Sequence, residues 1–389
     1  MSFQTIRDFD LKGKTVLLRA DLNVPVQDGK ISDTTRIDRL KPTIDYLKDQ
    51  DCQVVILSHF GRPKGKINPD FSLSFLTPTL SAQWDIPVGF GTDSGEKITL
   101  LENVRFNPGE EANDIAYAQE LAKLGDIFIN DAFSAAHRAH ASTAAITTLL
   151  PSGAGLLMES EIKALTNALE APQKPVVAIV GGAKISTKLS VLNNLIQKVD
   201  YLVLGGGMAN TFLYAQGISV GQSLCEKDMA NEAKTISEKA KSSGCEIILP
   251  SDQIAIREFK EHAPHDIIKC GSIADDQESV DIGPETIENI ESIVDNAKTV
   301  LWNGPMGVFE MTPFDNGTNK VAQKVAKLTA EGKLLSVAGG GDTVSALDNA
   351  RVTNDFSYIS TAGGAFLEWI EGKELPGVAA LSNSNQKAA

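Results

Sequence analysis

Short runs of β-branched and aliphatic residues alternate along this chain with longer stretches whose apolar positions recur at helical spacing. The run Thr15–Arg19 is followed by such a stretch over 36–47, then by a second run over 53–58, and the rhythm persists into the last third. Alternation of this kind predicts an α/β fold on mainly parallel strands. Strands are expected over 15–19, 53–58, 98–101 and 126–130 in the first half, and over 176–180, 201–204, 246–249, 299–302 and 334–337 in the second. Between the halves, Pro151-Ser152-Gly153 leads into 156–169, apolar at helical spacing, and Ala171-Pro172 ends it, so a linking helix is expected there. Pro42, inside 36–47, is expected to kink a helix or start a second one. The polar stretch from Ser382 to Ala389 is expected to fray.

Length turns this pattern into an organisation. A chain of 389 residues, 42% hydrophobic, exceeds what one core usually serves, and two domains are expected, at 1–152 and 173–375, with 153–172 as the link. The formal charge of −14 argues against nucleic acid as a partner, and any anionic ligand must be held by a local basic cluster. Cys52, Cys225, Cys245 and Cys270 lie far apart with no metal-ligand spacing, which fits free thiols in a reducing compartment. No stretch approaches about 18 apolar residues and the first residues lack a signal-peptide core, so a cytoplasmic protein without membrane contact is expected.

In parallel α/β sheets, ligands sit beyond the carboxyl ends of strands. In the first half those positions hold Asp21-Leu22-Asn23, His59-Phe60-Gly61-Arg62, Arg105 and His137-Arg138, with Arg36 opening the helix after the first strand. Seven arginines precede residue 150, and only Arg257 and Arg351 follow it. Guanidinium groups grip phosphates and carboxylates in a fork, so several converging ones suit a small molecule with more than one negative group. A surface or interdomain salt bridge is the commoner use of any single one. The histidines read as ligand contacts or as packing, since no nucleophile motif stands beside them.

Second-half strands end instead in glycines: Gly181-Gly182-Ala183-Lys184, Gly205-Gly206-Gly207, Asn303-Gly304-Pro305 and Gly339-Gly340-Gly341-Asp342. Glycine lets backbone N–H groups approach an anion, and a helix starting at the turn adds its positive end. One such turn means little; four on one sheet edge point to phosphate. Neither the P-loop nor the Rossmann glycine pattern is present. Asp342, with Thr343 beside it, suits a carboxylate holding Mg²⁺ near phosphates, or serves as an ordinary N-cap. Lys184 and Lys188 are four apart, which would place both on one face of a helix starting after Gly182.

Taken in order, these motifs resemble the phosphoglycerate kinase family over nearly the whole chain. The resemblance also rests on Leu101-Glu102-Asn103-Val104-Arg105-Phe106, Ala136-His137-Arg138-Ala139-His140, Trp302-Asn303-Gly304-Pro305 through Glu310, and Gly363-Gly364-Ala365-Phe366-Leu367-Glu368. It implies two Rossmann-like domains, each a mainly parallel sheet flanked by helices, with a cleft between them. The tail 376–389 would return to the first domain, and the protein would act as a monomer. It implies 3-phosphoglycerate or 1,3-bisphosphoglycerate on Asp21, Leu22, Asn23, Arg36, His59, Phe60, Gly61, Arg62, Arg105 and Arg138. MgADP or MgATP would be held by Lys188, Gly205, Gly206, Gly207, Asn303, Glu310, Gly339, Gly340, Gly341, Asp342 and Thr343, with Glu310 on the ribose and Asp342 on the Mg²⁺. Arg36, Lys184 and Lys188 would act on the transferring phosphoryl group, and hinge closure would bring donor and acceptor together. Ala362 departs from the family, standing where a glycine is common in the proposed hinge around 360–364, which questions its freedom. Rival readings are a kinase for a singly charged acid, which would not need four arginines, and a silent scaffold, against which Arg36, Lys184, Lys188 and Asp342 speak.

Overall fold

The computed structural model describes residues 3–384. The chain divides into two compact units, Met1–Lys163 with Glu374–Ala389, and Ala164–Lys373.

The first unit is built on six parallel strands in the order Val88–Phe90, Ile98–Leu100, Gln53–Leu57, Thr15–Arg19, Ile127–Asn130, Ser152–Ala154. Its strands are apolar on both sides because both faces are covered, as parallel sheets require. The period-2 alternation of strand side chains sorts them: Val16, Leu18, Ile56 and Ile129 enter one core, whereas Leu17, Leu57 and Phe128 enter another. The helix Thr35–Lys48 is continuous through Pro42, so no second helix starts there. Pro42 is exposed, and the opposite face buries Ile37, Leu40, Ile44 and Leu47; that burial offsets the lost hydrogen bond. The helix Pro376–Ser384 belongs to this unit, with the Gly377 N–H donating to the Ala136 carbonyl at 2.8 Å and Val378 and Leu381 buried. It carries helix through Ser384, past the expected fraying point at Ser382, and 385–389 lie outside the described residues.

The helix Leu156–Leu169 runs where it was expected. Its first turn is fixed within the first unit: Asp131 accepts from the Met158 N–H at 2.9 Å and Thr43 Oγ1 from that of Leu156 at 3.1 Å.

The second unit has its own six-stranded parallel sheet, ordered Glu246–Ile248, Tyr201–Leu204, Val176–Val180, Thr299–Asn303, Leu335–Gly339, Tyr358–Ser360. Val177, Ile179, Val203, Val300 and Trp302 pack one face against helices 284–296 and 316–330. An antiparallel sheet of His265–Lys269, Asp252–Ile256 and Glu278–Ile282 lies within this unit. Ala362 is buried without a left-handed backbone, and the positive φ of +45° falls on Gly363, so the alanine introduces no strain.

Candidate active site

At the carboxyl edge of the first sheet, five of the predicted residues, Asp21, Asn23, Arg36, Gly61 and Arg105, form one hydrogen-bonded network. Arg36, in the first turn of its helix, donates from Nη1 to Asp21 Oδ2 at 2.6 Å, and the Ser134 hydroxyl donates to the same oxygen. Burial opposes ionisation of Asp21, but the Arg36 guanidinium beside it overrides this and holds the carboxyl below its usual range. Asn23 Oδ1 accepts from the Gly61 N–H at 2.9 Å, and Arg105 Nη1 donates to the Gly61 carbonyl at 2.9 Å. Gly61 needs its φ of +58° and the space over the Phe71 ring that a methyl would fill.

His59 is buried and lies 3.1 Å, through Nδ1, from Arg19 Nη2. Burial, and then the charge of Arg19, depress its pKa well below the ordinary histidine value. A guanidinium always donates, so Nδ1 accepts and the proton resides on Nε2. Arg19 was not among the expected site residues, although a charge ending the apolar run Thr15–Arg19 is the signal that marks it. It is fully buried, donating also to Ser142 Oγ, which in turn donates to the buried Glu110 carboxylate at 2.6 Å. The Leu22 side chain is part of the core, its N–H donates to Ser58 Oγ at 3.0 Å, and its carbonyl accepts from the Val24 N–H at 2.9 Å. Arg62 and Arg138 are exposed, with no ion pair among the described residues.

In the second unit the glycine turns are stitched together. The Gly181 N–H donates to the Asn303 carbonyl at 3.1 Å, the Gly205 N–H to Val180, and the Gly206 N–H to Met306. Thr343 Oγ1 accepts from the Gly304 N–H at 2.7 Å and donates to the Gly339 carbonyl at 2.9 Å. A methyl at Gly181 would overlap the Pro305 carbonyl oxygen. Gly181→Ala is therefore expected to cost about 1–3 kcal/mol through overpacking against backbone; an unchanged thermal midpoint would show that these turns are not rigidly joined.

Two adjoining cavities of about 360 Å³ each open along this edge, and both reach Gly182, Ala183, Pro305 and Asp342. The first is apolar, lined by Leu224, Phe259, Val308 and Phe309 together with Gly206, Gly207 and Glu310. The second is lined by Lys184, Lys188, Asn303, Gly340, Gly341 and Thr343. Gly205 and Gly339 line neither; they pack on Met306 and the Phe366 ring. Helices Gly206–Ala215 and Gly341–Asn349 begin at the glycine turns with their positive ends there; in the first, the Gly206 and Met208 N–H groups already donate to the Met306 and Gly182 carbonyls. The N-cap of the second is Gly340, so Asp342 is no cap; it lies exposed in the first turn.

Lys184 and Lys188 do not share a helix face as expected. The helix begins only at Leu189, and 183–188 is a turn held by the Lys188 N–H on the Ile185 carbonyl and Thr187 Oγ1 on that of Lys184. Local side-chain hydrogen bonds compete with the helix there. Both lysines nonetheless reach one cavity. Lys188 Nζ donates to Asn303 Oδ1, while Asn303 Nδ2 donates to the Gly339 carbonyl at 2.7 Å. Burial lowers the Lys188 pKa to about 8, against the opposing pull of Asp342. Sequence reasoning missed the apolar lining, because Leu224 and Phe259 stand in irregular segments with no motif.

No helix among the described residues is long and apolar enough to cross a membrane. The family model described as phosphoglycerate kinase matches residues 6–373. A phosphoglycerate kinase of Rhodospirillum centenum is 58% identical over 98% of this chain and its own full length, and one of Ruegeria is 55% identical over the same shares. The structure of phosphoglycerate kinase from Coxiella burnetii superposes with a TM-score of 0.93 at 44% identity, covering 98% of this chain and 99% of that one; the enzyme from Pyrococcus horikoshii reaches 0.79 at 31% identity, covering 99% and 100%. This chain belongs to the phosphoglycerate kinase family.

Proposed function

We propose that the chain transfers a phosphoryl group reversibly between 1,3-bisphosphoglycerate and ADP, giving 3-phosphoglycerate and ATP, the first ATP-generating step of glycolysis. The observation that carries this reading is the division of labour between two sheet edges. One presents Arg36, His59, Arg62, Arg105 and Arg138; the other presents an apolar cavity continuous with a lysine-lined one. A base and ribose fit the first cavity, with Glu310 accepting from ribose hydroxyls, and phosphates fit the second at the N-terminus of helix Gly341–Asn349. The arginine cluster suits an acceptor with a remote phosphate as well as a carboxylate. We assign the first unit to phosphoglycerate and the second to the nucleotide.

The acceptor carboxylate is ionised at neutral pH, so the transfer needs no general base. The chain's task is to neutralise charge spreading over the transferring group and to set it in line, which Arg36, Lys184, Lys188 and the glycine-turn N–H groups do. Magnesium enters as MgADP or MgATP. No group of three or more His, Cys, Asp or Glu among the described residues makes a metal cage, and Mg²⁺ is commonly shared between one or two carboxylates and substrate phosphates. Asp342, which lines both cavities, is the carboxylate that fits. Because the two ligands are assigned to different units, transfer requires the units to bring them together and shut out water that would hydrolyse the acyl phosphate.

The test is ATP consumption with Mg²⁺ and 3-phosphoglycerate under coupled removal of the acyl phosphate, with acetate and aspartate as parallel acceptors. Turnover with 3-phosphoglycerate alone supports the reading; silence with all three from folded protein sinks it. Asp342→Asn is expected to weaken the magnesium-nucleotide complex by about tenfold or more, the scale of one charge-assisted contact, while sparing 3-phosphoglycerate affinity. Calorimetry showing the reverse pattern would invert the assignment of ligands to units.

A further inference from the structure

We propose that Glu226 is a positioning residue for phosphoryl transfer, holding the turn 183–188 so that Lys184 and Lys188 both face the phosphate cavity. The inference rests on the nucleotide reading of that cavity. The turn has no helical ladder of its own, and the sequence alone would have made it a helix. Besides its two local bonds, it is held from 40 positions along the chain: the Ser186 N–H and Oγ donate to the two carboxylate oxygens of Glu226 at 2.9 and 2.6 Å. Burial opposes ionisation of Glu226, but these bonds, with the Ile185 backbone and the charge of Lys184 nearby, together outweigh it and hold its carboxyl below the usual range. A carboxylate that accepts from both a backbone and a hydroxyl donor fixes its partner's φ and side chain together.

Glu226 is itself oriented from the other side of the site. Its N–H donates to Thr211 Oγ1 at 3.1 Å, and that hydroxyl donates to the Gly207 carbonyl at 3.1 Å. Gly207 is in the turn that opens helix Gly206–Ala215 and lines the apolar cavity. Two residues before Glu226, Leu224 lines that cavity too. The segment around 224–226 thus ties the apolar wall, the glycine turn and the lysine turn into one piece. Neither Glu226 nor Ser186 lines either cavity, so the effect passes through the lysines.

The experiment is a double-mutant cycle on Glu226→Ala and Ser186→Ala, with steady-state kinetics for both substrates, nucleotide binding by calorimetry and thermal unfolding. Wild-type turnover, measured first, tests the nucleotide reading independently. Each single variant is expected to lose about three- to thirtyfold in kcat/KM for ATP, the scale of one or two partly exposed charge-assisted bonds. The KM for 3-phosphoglycerate and the thermal midpoint should stay near wild type, and the double variant should be no worse than the poorer single one. Glu226→Gln, which retains one acceptor, should recover part of the loss. Additive losses, an equal loss for both substrates, or unchanged ATP kinetics in either folded variant would overturn the proposal; Ser186→Ala removes only a hydroxyl and keeps the test open if Glu226→Ala does not fold.

Discussion

Replacing Arg36 with alanine should lower turnover by about a hundredfold or more while leaving nucleotide affinity within about twofold, since one preorganised donor to developing charge is worth that much. Two physical effects combine. The variant loses a permanent cation from the first turn of helix Thr35–Lys48, and it leaves Asp21, whose side chain is only 10% exposed, without its counter-charge. The stranded carboxylate then faces an approaching anion. Arg36→Lys restores a charge without the fork and should recover only part of the rate. The measurement is kcat with nucleotide binding by calorimetry. Wild-type turnover in Arg36→Ala would remove the assignment, and so would a loss confined to nucleotide affinity.

Lys188→Met should produce the second large effect, weakening ADP and ATP together with turnover by about tenfold to a hundredfold, as expected for a charge-assisted contact to phosphate. The pH dependence identifies the cause. Burial has already lowered Lys188 to about 8, and bound phosphates raise it again. Above pH 8 the free protein has lost a proton that binding must restore. Wild-type affinity should therefore fall by up to about tenfold per pH unit above 8 until the pKa of the complex is reached. In Lys188→Met that alkaline decline should be absent. The stability linkage has the opposite sense from a stabilised lysine. With the folded pKa depressed below the ordinary 10.5, the unfolded chain binds the extra proton, so the cost is full below pH 8 and fades as pH rises toward 10.5. Lys188→Met should consequently unfold at a higher temperature than wild type at pH 7, with the gap closing at alkaline pH. Affinity that is flat from pH 7 to 10 would show that Lys188 does not bear the phosphate charge.

The central strands were readable because each is long enough to show its character. The runs at Thr15–Arg19, Val176–Val180 and Tyr201–Leu204 have the expected bounds, and the others shift by a residue or two. The strands Val88–Phe90, Ser152–Ala154 and Tyr358–Ser360 escaped notice because three residues carry no detectable period and, unlike the equally short Ile98–Leu100 and Glu246–Ile248, they do not stand in a run of aliphatic residues. Ser152–Ala154 lies in what read as a linker, since Pro151 and Gly153 look like punctuation until a neighbouring strand pairs with them. The antiparallel sheet was missed as well: its edge strand His265–Lys269 is largely exposed and polar, and burial of the central strand depends on partners far along the chain.

The site followed the same division. Residue types at strand ends, arginine and histidine in one half and glycine with lysine in the other, were determined locally, because a parallel sheet sends the residue after each strand to the same edge whatever the details of packing. What only the tertiary structure decided were the partnerships: Arg19 behind His59, Asn303 under Lys188, Thr343 bridging two glycine turns, and Glu226 on Ser186. Each of these joins residues 39 to 115 positions apart. Composition and periodicity report on the nearest turn or two of chain, whereas a hydrogen bond between distant segments exists only once the sheets have brought their strand ends together.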